Sequence, residues 1–348
     1  MGACSTSCDG KLNDVLMKKF ELESFNPPSW LHGGHIQSVL GHFLKRGKGV
    51  SLRRARLDTP DGDFLDVDFV SVKGVTLGDD APVVFVLHGL EGSAEAAYAQ
   101  LLFRNLAQHG LRAVCINYRS CSGVMNRTAR LYHAGATDDV RFVHDILLKL
   151  YPNVPHGMVG ISLGANMLLK YLGENNGERS HIPQIQAAVA ISPFFDMNRS
   201  SGAFDEGGGR YYAQRLLRSL QDKAALNAHI LRDHIDIDRV LAAKTVREFD
   251  NYGTARLHGF RDAADYYTQN SSGQFLADIA IPTLLIRSLD DPFFEPADIP
   301  HDTIANNANL YPAFTQTGGH VGFIAGLKEF WAERQTARFL SHALYQSS

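Results

Sequence analysis

One pentapeptide constrains the fold of this chain more than any other feature: Gly160-Ile161-Ser162-Leu163-Gly164 lies between an apolar segment and a helix-forming segment. A strand that leads into a helix within so few residues needs a sharp turn. Glycines on either side of the serine let neighbouring backbones approach closely. Such a turn strains the serine backbone and holds the hydroxyl out at the carboxyl edge of a sheet. The sequence therefore predicts a strand, a turn at Ser162 and a helix.

Apolar runs and helix-forming segments alternate along most of the chain. Pro82-Val83-Val84-Phe85-Val86-Leu87 is continuously apolar, as expected for a central parallel strand covered on both faces. We predict further strands over residues 112–117, 157–160, 187–191, 283–288 and 310–315, and helices over residues 94–109, 137–150 and 163–172. Residues 52–57 and 64–72 flank a turn and predict an antiparallel hairpin at the sheet edge. This alternation predicts an α/β fold with a mostly parallel central sheet and helices on both faces.

The connection between the predicted strands 187–191 and 283–288 is about ninety residues long, far more than an ordinary crossover. It is rich in helix formers over residues 211–246, and Gly207-Gly208-Gly209 near its start has the composition of a hinge. We interpret it as a helical cap inserted into the sheet domain. The predicted organisation is a flexible tail over residues 1–25, a core over residues 26–193 and 281–348, and a cap over residues 194–280.

Two later strand ends carry side chains that could activate Ser162. A serine hydroxyl is a weak nucleophile at neutral pH, so it needs a base within hydrogen-bond reach and a group that orients the base. Leu289-Asp290-Asp291-Pro292 follows one predicted strand, and Gly318-Gly319-His320-Val321-Gly322 follows the next. We predict Ser162 as nucleophile, His320 as base and Asp291 as the orienting carboxylate. Asp290 is the alternative to Asp291, since adjacent side chains point in different directions.

Two backbone amides are predicted to stabilise an oxyanion. The usual donors are the amide after the nucleophile and one in the loop after an early strand. The first position is Leu163. The loop is His88-Gly89-Leu90-Glu91-Gly92-Ser93, in which we expect the Leu90 amide to be the second donor. His88 is expected to brace this loop and not to act as a base.

Composition and charge exclude several classes of function. The formal net charge is −3 and no run of five or more like charges occurs, so nucleic acid is not an expected partner. The apolar stretches are far shorter than the roughly 20 residues that a membrane-spanning helix needs. The cysteines have neither the spacing of a disulfide framework nor that of a zinc site: Cys4, Cys8, Cys115 and Cys121. We therefore expect a cytoplasmic protein without metal or cofactor.

The first residues leave a second location open. Met1-Gly2-Ala3-Cys4-Ser5-Thr6 fits the pattern for acylation at Gly2 and Cys4, which would give peripheral membrane contact in a eukaryote. The alternative interpretation is a tail without a lipid. Nothing in the sequence indicates the oligomeric state.

Several stretches resemble those of a known family. They are Gly33-Gly34-His35-Ile36-Gln37-Ser38, the loop at residues 88–93, Asn117-Tyr118-Arg119-Ser120-Cys121-Ser122-Gly123, Tyr132-His133-Ala134-Gly135, Arg247-Glu248-Phe249-Asp250, Gly259-Phe260, Asp265-Tyr266-Tyr267 and Gly319-His320-Val321-Gly322-Phe323. Over residues 26–339 the chain resembles the YheT-like branch of the abhydrolase-domain esterases, in the α/β-hydrolase superfamily. The proline after Asp291 is similar to the usual loop in this fold and favours Asp291 over Asp290. The chain departs from the family pattern at Ala165 and Ser120, where glycine is common.

The resemblance implies hydrolysis of carboxylic esters of acyl groups, and some relatives act on glycerolipids or transfer acyl groups to alcohols. Together with the residues above, it predicts a serine carboxylesterase that cleaves short- to medium-chain acyl esters through an acyl-serine intermediate. A lipase or alcohol acyltransferase with the same triad is one alternative, and a non-catalytic ligand-binding module is another. His133 and Asp138 match an H-x4-D pattern of some lipid acyltransferases, but Thr137 and Asp138 are more typical of a helix start.

Overall fold

A single eight-stranded sheet organises the molecule. The computed structural model describes residues 20–31, 33–45, 47–174, 185–206 and 209–346. The strands are β1 Val50–Asp58, β2 Phe64–Val72, β3 Val83–Leu87, β4 Arg112–Asn117, β5 His156–Ile161, β6 Ile185–Ile191, β7 Thr283–Ser288 and β8 Leu310–Thr315, in the spatial order β1-β2-β4-β3-β5-β6-β7-β8. β2 pairs antiparallel with β1 and with β4, and all other neighbours are parallel. The predicted α/β class, its mostly parallel sheet and the hairpin at its edge are confirmed.

Helices cover both faces of the sheet and fill the long connection between β6 and β7. Their bounds are α1 Gly34–Leu44, α2 Ala97–Gln108, α3 Thr137–Leu150, α4 Leu163–Gly173, α5 Met197–Glu206, α6 Arg210–Leu226, α7 Ala228–Leu231, α8 Ile237–Ala242, α9 Val246–Phe249, α10 Ala255–Leu257, α11 Ala263–Asn270, α12 His301–Asn306 and α13 Trp331–Gln346. Shorter elements are a π turn at Asp250–Thr254, 3-10 turns at Ser272–Asp278 and Pro296–Asp298, and a small hairpin of β9 Ile324–Gly326 and β10 Glu329–Phe330. In the part of the chain just described, no helix is long and apolar enough to cross a bilayer.

The central strand β3 shows why this apolar run needs helices on both sides. Its side chains are fully buried and alternate between two faces. Phe85 and Leu87 pack into a cluster with residues of α3 and α4, whereas Val84 and Val86 pack into a cluster with residues of α2 and α13. Burial of each such side chain contributes about 1.5–3 kcal/mol relative to exposure. The resulting core holds the carboxyl ends of β3, β5, β7 and β8 at one edge of the sheet.

The helices between β6 and β7 form a third apolar cluster, separate from the two clusters on the sheet. Leu217, Leu231 and Val240 belong to it, together with Phe293 and Phe294 from the loop after β7. Local sequence sets the starts of three helices. Their N-cap residues are Asp236, Thr245 and Asp262, and each of these side chains accepts a backbone N–H from the first turn of its helix. Gly207 and Gly208 of the expected hinge lie outside the described residues.

One predicted boundary was wrong. The helix predicted from residue 94 begins at Ala97, because the backbone of Ala96 is extended, with φ −61° and ψ 138°. Before it, the Ala94 N–H donates to Asn117 Oδ1 at 3.0 Å and the Glu95 N–H to Ser93 Oγ at 3.2 Å. Residues 20–25 of the expected tail pack against α13, where the Phe20 ring lies 5.3 Å from the Phe339 ring. Residues 1–19, which include Gly2, Cys4 and Cys8, lie outside the described residues.

Candidate active site

Ser162 occupies the turn between β5 and α4. Its φ is 56° and its ψ is −115°, so the backbone is in the left-handed region that residues other than glycine rarely adopt. A Cβ added to Gly160 would lie 2.3 Å from the Gly164 carbonyl oxygen, and one added to Gly164 would lie 2.3 Å from the Leu87 carbonyl oxygen. Glycine is therefore required at both flanking positions. The predicted strand, turn and helix are present.

The structure brings Ser162, His320 and Asp291 together in one hydrogen-bonded row. The Ser162 hydroxyl lies 2.7 Å from His320 Nε2, and His320 Nδ1 lies 2.8 Å from Asp291 Oδ2. The Phe293 N–H donates to the other carboxylate oxygen at 2.9 Å. Because Asp291 accepts a hydrogen bond from the Nδ1–H group, Nε2 carries no proton and can accept the proton of Ser162. This arrangement can remove a proton from Ser162 and hold the resulting imidazolium beside a carboxylate.

Asp290 has a different position from its neighbour. Its Oδ1 accepts the Gly319 N–H at 2.9 Å, so it holds the loop that carries His320 and does not bind the imidazole. A second anchor comes from α1: the Ser38 hydroxyl accepts the His320 N–H at 2.9 Å and donates to the Gly34 carbonyl at 2.7 Å. Sequence reasoning assigned no role to Ser38, although the stretch that contains it carried the family resemblance.

The loop at residues 88–93 lies against Ser162. A Cβ added to Gly89 would lie 3.3 Å from the Ser162 Cβ. His88 is fully buried, its Nε2 accepts the Tyr118 N–H at 3.1 Å, and its Nδ1 donates to the Gly89 carbonyl at 2.8 Å. Burial lowers the pKa of His88 to about 3, so the ring is neutral. His88 therefore braces the loop in a fixed tautomer.

Leu90 and Leu163 lie on the two elements that meet at Ser162. Leu163 is the first residue of α4, where a backbone N–H has no partner within the helix. The neighbours of Leu90 in the loop are engaged: the Gly89 N–H donates to the Tyr98 hydroxyl and the Glu91 N–H to the Tyr132 hydroxyl, both at 3.0 Å. Both leucine side chains line the pocket beside Ser162.

This pocket is largely apolar but has a polar side. Ser162 itself is only 8% exposed, so a substrate must enter through the pocket. Its apolar lining includes Leu90, Leu163, Phe194, Met197, Phe204, Leu216, Leu220 and Phe293, and its polar lining includes Ser200, Ser201, Asp205, Arg247, Asp250 and Thr254. Burial raises the pKa of Asp250 to about 6. Most of the lining comes from the helices between β6 and β7, and the polar side was not predicted.

The H-x4-D pattern does not form a pair of interacting side chains. Thr137 begins α3 and Asp138 lies in its first turn, as expected. The Asp138 carboxylate is bound by Arg130 and is 62% exposed, whereas the His133 ring lies 4.3 Å from the His258 ring. Burial lowers the pKa of His133 well below its ordinary value, so it is neutral in the pocket wall.

Comparisons with known proteins identify the family of this chain. Residues 82–327 match the model of the family described as "alpha/beta hydrolase fold". The chain is 34% identical over 333 residues to the Escherichia coli protein named "Putative esterase YheT", covering 93% of this chain and 95% of that protein. It is 29% identical over 321 residues to human phospholipase ABHD3, covering 90% and 76%.

A solved structure shows the same fold at lower sequence identity. The Pyrococcus furiosus esterase Pf2001 superposes with a TM-score of 0.53 and 16% identity, covering 92% of this chain and 100% of that chain. At this identity the likeness concerns the fold alone.

Proposed function

This chain belongs to the α/β-hydrolase family and is a hydrolase of the esterase or lipase type, and we propose that it is a serine carboxylesterase for short- to medium-chain acyl esters. The observation that carries the proposal is the hydrogen-bonded row of Ser162, His320 and Asp291, in which Ser162 lines a largely apolar pocket. A binding module needs the pocket but not this row.

The proposed reaction has two halves that share one base. Ser162 Oγ attacks the ester carbonyl carbon while His320 Nε2 takes the hydroxyl proton, and Asp291 stabilises the imidazolium. The carbonyl oxygen becomes an oxyanion that accepts the Leu90 and Leu163 N–H groups. Collapse breaks the ester bond, and His320 returns the proton to the leaving alcohol. In the second half, water attacks the acyl carbon and gives a proton to His320. Collapse then breaks the bond between the acyl carbon and Ser162 Oγ, His320 returns the proton to Oγ, and the acid leaves.

Ser162→Ala tests the nucleophile. The variant removes one hydroxyl, so it should lose turnover of p-nitrophenyl butyrate and labelling by a fluorophosphonate while its melting temperature stays unchanged. Ser341→Ala is the matched control, because Ser341 lies on α13 and bonds the His109 carbonyl. A Ser162→Ala variant that keeps most of the wild-type rate would exclude the proposal.

We further propose that residues 194–280 form a cap that limits substrate length. They supply much of the apolar lining, including Phe204, Leu216 and Leu220, and each methylene that a substrate buries there adds about 0.8 kcal/mol to binding. With p-nitrophenyl esters from two to sixteen carbons, kcat/KM should rise and then fall sharply when the pocket is full. A steady rise to the longest chain, with activation at a lipid surface, would indicate a lipase.

The second substrate and the location complete the proposal. Water is the proposed acceptor of the acyl group, and product analysis with a medium-chain ester plus ethanol separates hydrolysis from acyl transfer: dominant ethyl ester would favour the transferase. Cys115 and Cys121 are buried and free, which supports a reducing, cytoplasmic location.

A further inference from the structure

A buried carboxylate, that of Glu91, lies next to the Leu90 amide, which donates to the oxyanion in the proposed reaction. Glu91 follows Leu90 in the loop at residues 88–93, and its side chain is 4% exposed. Its φ is 56°, in the left-handed region where a side chain is unfavourable and glycine is not. A glutamate at this position therefore needs contacts that offset the backbone strain.

Hydrogen bonds fix both the backbone and the side chain of Glu91. The Tyr132 hydroxyl accepts the Glu91 N–H at 3.0 Å and donates to its Oε1 at 2.7 Å. Lys223 Nζ donates to the same oxygen at 2.9 Å, and the Ser219 hydroxyl donates to Oε2. Ser219 and Lys223 are one turn apart on α6. The carboxylate of Glu91 therefore ties the loop beside Ser162 to a helix of the cap.

The same helix forms a wall of the substrate pocket. Leu216 and Leu220, also one turn apart, lie on the pocket side of α6. A displacement of α6 away from the pocket must break the contacts with Ser219 and Lys223. The position of the pocket wall and the position of the loop are therefore coupled through Glu91.

Lys223 pairs with Glu91 and with no other charged side chain among the described residues. Apart from Glu91, Lys223 Nζ contacts Cys121 Sγ at 3.1 Å and faces the Tyr132 ring at 5.8 Å. Burial raises the pKa of Cys121 to about 11, so this thiol is neutral. Among the described residues, Glu91 is the only carboxylate paired with Lys223. Loss of either partner would leave a largely buried charge uncompensated.

We propose that Glu91 is a positioning residue that holds the Leu90 amide toward the oxyanion while α6 is seated over the pocket. Glu91 touches no reacting atom and acts through the loop. The inference rests on the proposed function, because a positioned amide matters only if an oxyanion forms.

Glu91→Gln and Lys223→Met test this coupling, with kcat and KM measured on p-nitrophenyl butyrate per active site titrated by a fluorophosphonate. Loss of a whole oxyanion donor costs about 10²–10³ in kcat, so a loosened donor should lower kcat by about ten- to a hundredfold with little change in KM. The double variant should be no worse than the worse single variant, since both changes break one contact. Lys223→Arg keeps the charge and should retain most of the rate.

Arg56→Met is the matched control, because Arg56 also pairs with a buried carboxylate, Asp66, on the edge strands β1 and β2. It should leave kcat unchanged. The inference is overturned if Glu91→Gln and Lys223→Met keep kcat per titrated site within about twofold of wild type, even if their melting temperatures fall. Lys223→Met decides the question if Glu91→Gln does not fold. An active Ser162→Ala variant would refute the proposed function instead.

Discussion

Asp291→Asn probes the row of hydrogen bonds at its far end, because the exchange keeps the side-chain shape and removes the charge. Asp291 Oδ1 accepts the Phe293 N–H at 2.9 Å, and Oδ2 faces His320 Nδ1 at 2.8 Å. The asparagine oxygen is needed at the Phe293 amide, so its NH₂ group must face Nδ1. Nδ1 then becomes an acceptor and the ring proton moves to Nε2. A ring in that tautomer cannot take the proton of Ser162.

The expected loss of rate is large. The corresponding exchange in a Ser-His-Asp triad lowers kcat by about 10⁴, equivalent to about 5.5 kcal/mol of activation free energy. The Phe293 and Phe294 rings lie 4.2 and 5.1 Å from the His320 ring, which restricts the reorientation that could restore the tautomer. We therefore expect kcat to fall by about 10³–10⁴ with KM nearly unchanged. Steady-state hydrolysis of p-nitrophenyl butyrate measures both constants.

Asp290→Asn is the control on the neighbouring carboxylate. Its oxygen can still accept the Gly319 N–H, which Asp290 Oδ1 accepts at 2.9 Å, so kcat should fall by less than about tenfold. Equal losses in the two variants, or an Asp291→Asn variant with more than a tenth of the wild-type kcat, would refute the assignment of Asp291.

Two further predictions concern stability. Gly164→Ala places a Cβ 2.3 Å from the Leu87 carbonyl oxygen and should lower the melting temperature by several degrees. Gly202→Ala is the control: nothing lies within 4 Å of the new Cβ, so the exchange should be neutral or stabilising. Equal melting temperatures of the two variants would contradict this prediction. Burial raises the pKa of Asp250 to about 6. Between about pH 4 and 6 the native protein therefore keeps the carboxyl proton of Asp250, whereas the unfolded chain loses it. The contribution of Asp250 to the free energy of unfolding should fall by about 3 kcal/mol as the pH rises from about 4 through 6. Asp250→Asn should remove that decrease in urea unfolding measured across the same pH range, and an unchanged slope would refute the prediction.

Much of the sheet could be predicted because its signals are local. The strands β7 and β8 have the predicted bounds. All six residues of β7 are buried, as its mainly apolar sequence indicates, whereas β8 lies at the edge of the sheet and is only partly buried. The start of α2 could not be predicted, because Asn117 on β4 binds the Ala94 amide. Likewise, the packing of Phe20 on Phe339 joins residues at opposite ends of the chain, and no local pattern reports such a contact.

In the site, too, the features with local signals could be predicted and the contacts between distant residues could not. The expectation for Ser162, Asp291 and His320 came from their places directly after strands, and the structure brings these side chains together. Ser38 supports His320 across 282 sequence positions, and Lys223 binds Glu91 across 132 positions. Contacts of this kind depend on how distant elements pack, which periodicity and turn chemistry do not determine.

The acyl-serine is the central claim, and trapping it is the most direct test. Wild-type protein mixed rapidly with p-nitrophenyl butyrate and quenched in acid should release a burst of nitrophenol close to one equivalent per active site. Mass spectrometry of the digested protein should then place a butyryl group on the peptide that contains Ser162, and Ser162→Ala should show neither the burst nor the modified peptide. Turnover that persists in the Ser162→Ala variant, or a butyryl group on a different residue, would contradict the account.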